Sequence, residues 1–182
     1  MKKLMIASAI AMTMTAGSAM ASQGDIQFFG TVTAKTCDLV VEQGGAVSGM
    51  IQLGTVTNGN TQSGTDIGEV KEFVLKPAAN ANCGSITGAH MAWNAPTMNA
   101  NGIGNQNGEA TDAYVKLTAK TSAGKVEIDG GDKEIKSGQN NIDYTITGTG
   151  LTDEGFKFEA QLIGGSQAGD FNTAAAYSVS YQ

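Results

Sequence analysis

"GDIQFFGTVTAKTC", running from Gly24 to Cys37, alternates with the two-residue period of a strand. Ile26, Phe28, Gly30, Val32 and Ala34 fall on one face, while Gln27, Thr31, Thr33 and Lys35 fall on the other. Glycine weakens a strand interior, and where it is kept it often marks a place where another backbone or side chain comes unusually close. The sequence around this stretch has to supply the neighbour that crowds Gly30.

Upstream lies a targeting segment. Lys2 and Lys3 form a positive start, "LMIASAIAMTMTA" an apolar core, and Ala19-Met20-Ala21 a small-x-small cleavage pattern, which predicts a signal peptide over 1–21 and a mature chain from Ser22. The apolar core is too short for a bilayer span, and no later run of about 18 apolar residues follows. Cleavage leaves about 161 residues, one domain by the usual size prior and long enough for a real core. Losing Lys2 and Lys3 moves the formal charge from -6 to about -8. The chain contains no arginine, so the basic footprint required by nucleic acid or an anionic membrane surface is missing.

Cys37 and Cys83 are the two cysteines of an exported chain, and the expectation is that they pair.

Downstream the alternation recurs. "MIQLGTV" (50–56) sets Ile51, Leu53 and Thr55 on one side, and "VKEFVLK" (70–76) offers Phe73 and Leu75 on one face and Val70 and Val74 on the other. "YVKLTAK" (114–120), "KVEID" (125–129), "IDYTIT" (142–147), "FKFEAQLI" (156–163) and the terminal "AAAYSVSYQ" repeat the pattern. Turn-forming Gly and Asn clusters separate them at 57–66, 99–108, 129–133 and 164–170. Short strands joined by such turns, with no capped helical stripe, predict an all-β sandwich or barrel.

Catalytic and metal constellations are thin. With His90 as the one histidine, multi-histidine, Cys₄ and Cys₂His₂ metal sites cannot be assembled, and His90 reads as a surface or packing residue beside Met91 and Trp93. No G-x-S-x-G elbow is present to focus a serine nucleophile, so an enzyme is disfavoured. Asp129, Asp132 and Glu134 in "DGGDKE" depart from the calcium-loop spacing and read as an acidic turn. The glycine runs lack the lysine and following helix of a phosphate loop. The expectation is no catalytic residue, no metal and no cofactor.

Four features in order carry a resemblance: an exported chain, the I-x-F-x-G-x-V pattern at Ile26, Phe28, Gly30 and Val32, then Cys37 and Cys83, then a C-terminal strand with Tyr177, Val179 and Tyr181. This resembles the chaperone-usher pilins, the type 1 and P pilus-like major subunits, over the whole mature chain. "QGD", "FFG", "GFKFEAQL", "GDF" and "AAAY" look most like the major subunits of F-eighteen type enteric fimbriae. The resemblance implies an immunoglobulin-like sandwich lacking its last strand and completed by donor-strand exchange. Residues 22–34 would be the donor extension and 35–182 the pilin domain.

Ile26, Phe28, Gly30 and Val32 would enter a groove on the next subunit, whose edge is the strand bearing Tyr177, Val179 and Tyr181. The implied partners are other copies of the chain, a periplasmic chaperone, an outer-membrane usher, minor pilins and a tip adhesin, on a route through the periplasm to a surface fimbrium. From a different class, a monomeric exported carbohydrate-binding sandwich would also explain polar loops on a β scaffold.

Overall fold

The computed structural model describes residues 37–59, 66–81 and 83–182. The signal segment and Ile26, Phe28, Gly30 and Val32 lie outside the described residues.

The alternating runs become antiparallel strands. β10 (Phe156–Ile163) buries Phe156, Phe158, Ala160 and Leu162 and turns Lys157, Glu159 and Gln161 outward. It lies between β3 (Lys71–Pro77) and β6 (Tyr114–Lys120), with Phe158 opposite both Phe73 and Ala119. β1 (Leu39–Gln43) pairs with β3 and with β2 (Ala46–Val47). Gly44 and Gly45 join β1 to β2 with φ of 58° and 84°, the two positive values that a tight two-residue hairpin demands. On the other side of β6, β5 (Ile103–Gly104) pairs with its start and β8 (Lys133–Ile135) with its end. Together these seven strands make one sheet.

The second sheet has the order β11 (Ala176–Tyr181), β4 (Gly88–Asn94), β9 (Asn141–Ile146), β7 (Val126–Ile128). Its inward faces, among them Ala89, Met91, Ile142, Tyr144 and Val126, meet those of the first sheet in one core. A single helical turn, α1 (Gly150–Asp153), precedes β10. Alternation on facing layers with the apolar side inward is the arrangement of a two-sheet sandwich, and the all-β expectation holds. Cys37 and Cys83 form the expected disulfide, tying the chain just before β1 to the loop after β3.

One expected strand is absent. Residues 50–56 run without strand pairing, and Gly54 adopts φ 83°, a left-handed conformation that breaks the alternation between Leu53 and Val56. Thr55 is consequently exposed, and Val56 takes the half-buried position.

Candidate functional site

β11 is an edge strand, and the polarity of its backbone follows from one hydrogen-bonded pair. Gln182 N donates to Gly88 O at 2.8 Å and Gly88 N donates to Gln182 O at 3.4 Å. In an antiparallel ladder such pairs alternate, so Ser180, Ser178 and Ala176 direct their backbone groups to β4, and Tyr177 and Val179 direct theirs away from it. Trp93, opposite Tyr177, confirms the phase by donating its N–H to Asn140 O on the β9 side at 2.8 Å. Among the described residues, no strand pairs with the far edge of β11. Exposed edge groups of this kind are a template for another strand.

Beside that edge the sandwich opens into a groove of about 960 Å³. The unpaired stretch 49–58 forms one wall and residues 167–175, leading into Tyr177, form the other. Its floor is core: Phe73, Leu117, Val115, Ala160 and Leu162 from the first sheet and Trp93 from the second. An apolar floor beneath unpaired main-chain groups is suited to main-chain hydrogen bonding combined with side-chain pockets.

A row of rings runs through the core at this floor, with Phe73, Trp93 and Tyr177 lining the groove and Phe158 buried between Phe73 and Trp93. Phe73 stacks on Phe158 with centroids 5.2 Å apart, Phe158 meets Trp93 edge-on at 5.2 Å, and Trp93 leans on Tyr177 at 5.4 Å. The Trp93 indole N–H is buried without a hydrogen-bond partner, so packing alone holds the ring.

The rim is fixed by polar contacts. The Asp112 carboxylate accepts from Ser166 N at 2.7 Å, Ser166 Oγ at 2.6 Å and Gln167 N at 3.1 Å. These bonds, the Ser166 hydroxyl first, hold its pKa down to about 2. Asn105 Nδ2 donates to Ala110 O and Asp170 O, and Asn105 Oδ1 accepts from Asn172 N. The loop entering β11 is therefore stitched to residues 105–112.

The three C-terminal residues singled out from the sequence occupy different settings. Tyr177 lines the groove, Val179 is half-buried on the core, and Tyr181 is buried with its hydroxyl donating to Cys37 O at 2.8 Å. Burial, foremost, pushes the Tyr181 pKa up. Sequence reasoning passed over Trp93, because Ala92 on the outer face of β4 blurs the polar contrast that would have marked the strand. It also passed over Asp112, which carries no motif.

His90 is half-exposed and lies 2.7 Å from Asp143 on the outer face of the second sheet. Asp132 is engaged by Lys120, and Glu134 by Lys116 and Lys136. Among the described residues no cluster of His, Cys, Asp or Glu is arranged to hold a metal ion.

The chain is 42% identical, over 185 aligned residues and the full length of both proteins, to the F107 fimbrial protein of Escherichia coli. The chain belongs to the chaperone-usher fimbrial subunit family. It is also 30% identical over 193 residues to the K99 fimbrial protein of the same organism, covering all of this chain and 99% of that relative. No family model matches. As a fimbrial subunit the protein is a structural component of a cell-surface fibre, and the groove is to be understood in a molecule that packs against copies of itself.

Proposed function

We propose that the subunit polymerises by strand donation: after removal of residues 1–21, the N-terminal extension of one copy, residues 22–34, lies along β11 of the next. The observation that carries this reading is the unpaired backbone edge of Tyr177 and Val179 beside an open apolar groove, in a chain of fimbrial descent. The incoming strand supplies the missing main-chain partners, and Ile26, Phe28 and Val32 enter the floor. Burying each contributes roughly 1.5 to 3 kcal/mol. Register is enforced sharply, because a slip of one residue turns Gln27 and Thr31 into the apolar groove.

The same edge needs cover before assembly, since an open strand beside apolar core associates with whatever it meets. A periplasmic chaperone lending a strand fills that role, and an outer-membrane usher passes the subunit to the fibre, where minor pilins and a tip adhesin join it. The relatives and the strand edge support this reading.

Electron microscopy and size exclusion of the mature chain, against a version lacking Ser22 to Ala34, test it with a chaperone co-expressed. Fibres from the full chain alone support strand donation. Stable monomers from both, with no chaperone bound, overturn it and favour a self-complete binding module, to be screened against glycans.

A further inference from the structure

We propose that Asn107 is a site of spontaneous deamidation: the Gly108 amide nitrogen attacks the Asn107 side chain, and the product loosens the groove wall that leads into β11. The chain holds three Asn-Gly pairs, Asn58-Gly59, Asn101-Gly102 and Asn107-Gly108. Glycine has no side chain to hinder ring closure and the widest backbone freedom to reach it, so by sequence all three pairs are reactive. The structure separates them.

In two of the pairs the attacking nitrogen is held. Gly59 N donates to Gly165 O at 2.7 Å, and Asn58 Nδ2, the group that would leave, donates to Ser166 O at 3.3 Å. Gly102 N donates to Asn99 Oδ1 at 3.2 Å, and Gly102 is buried where a Cβ would lie 2.3 Å from Val115 O. Asn107 and Gly108 are both exposed, and among the described residues Gly108 N has no hydrogen-bond partner.

The reaction balances with water alone. Gly108 N gives up its proton and bonds to Asn107 Cγ, the bond from Cγ to Nδ2 breaks, and Nδ2 leaves with that proton as ammonia. Water then opens the cyclic imide at either carbonyl, giving aspartate or isoaspartate. Either product adds a carboxylate to a stretch that already carries Glu109 and Asp112, and the isoaspartyl linkage also adds a methylene to the main chain.

That stretch supports the groove. Gln106 N and Asn107 N donate to Asn172 O at 2.9 and 3.0 Å, and Ala110 N donates to Asp170 O at 3.2 Å. Gly108 packs so closely that a Cβ there would lie 2.1 Å from Asp170 O. Asp170 and Asn172 line the groove, so a longer main chain at 107 displaces the bonds that hold this wall, whatever fills the groove.

The folded mature chain, with its disulfide intact, is incubated at physiological temperature in mildly alkaline buffer, which favours the deprotonated amide. Digestion in acid and fragmentation mass spectrometry follow each asparagine, and isoaspartyl methyltransferase labels the isoaspartate. The expected result is that Asn107 reacts about tenfold faster than Asn58 or Asn101, the cost of releasing a backbone hydrogen bond at each held site. In urea, with the disulfide reduced, the three rates converge. Hydrogen exchange of the aged chain shows residues 170–172 less protected than in the fresh chain. Asn107→Gln, whose longer side chain closes a ring far more slowly, keeps that protection over the same incubation.

Equal rates at the three sites in the folded chain, or a difference that persists in urea, overturn the assignment. Fast reaction at Asn107 with exchange at 170–172 unchanged overturns the effect on the wall.

Discussion

The hydroxyl of Tyr144 lies buried between the sheets with no hydrogen-bond partner, and that burial pushes its pKa up. Leaving such a group unsatisfied costs about 1–3 kcal/mol, so Tyr144→Phe should raise stability by about 1 kcal/mol in denaturant unfolding. Asp112 is the opposite case, a carboxylate satisfied by three donors across the groove rim. Its pKa falls from 3.8 to about 2 on folding, so its contribution is present above 3.8 and is lost as pH drops towards 2. Thermal unfolding of Asp112→Asn should therefore show a deficit relative to the native chain at neutral pH that closes across that acid window. Neither residue was legible in the sequence, because a satisfied and an unsatisfied polar group read identically until their neighbours are known.

Elements with strong contrast were legible. The runs 114–120 and 156–163 alternate apolar with polar or charged residues and form β6 and β10. The run 50–56 alternates too, yet the left-handed Gly54 turns it into an unpaired wall of the groove, while β4 forms with only His90 and the terminal Asn94 to mark its polar face. Periodicity reports which face is apolar; pairing depends on long-range partners. The edge of β11 makes an element-scale prediction for amide exchange. In the monomer the amides of Ser178 and Ser180, directed to β4, should be protected, and those of Tyr177 and Val179 should exchange rapidly. In fibres both sets should be protected, as strand donation requires. Tyr177 and Val179 amides that stay fast in fibres would place the subunit contact elsewhere.

At the scale of the whole molecule, the disulfide closes a loop with a sequence separation of 46 and fastens the start of β1 beside the core. On the chain-entropy model it contributes about 4 kcal/mol, so Cys37→Ser with Cys83→Ser should lower the unfolding midpoint in urea accordingly. The sandwich architecture and the disulfide were readable from alternation, turns and cysteine count. The groove was readable only through resemblance, since a missing strand leaves no local trace in the strands that remain.

The central claim is that one copy's N-terminal extension completes the sandwich of the next, and a cryo-electron microscopy map of the native fibre tests it most directly. The account predicts a strand of density along the free edge of β11, continuous with residue 37 of the adjacent subunit. A groove that is empty in the fibre, or filled by the subunit's own extension, would contradict it.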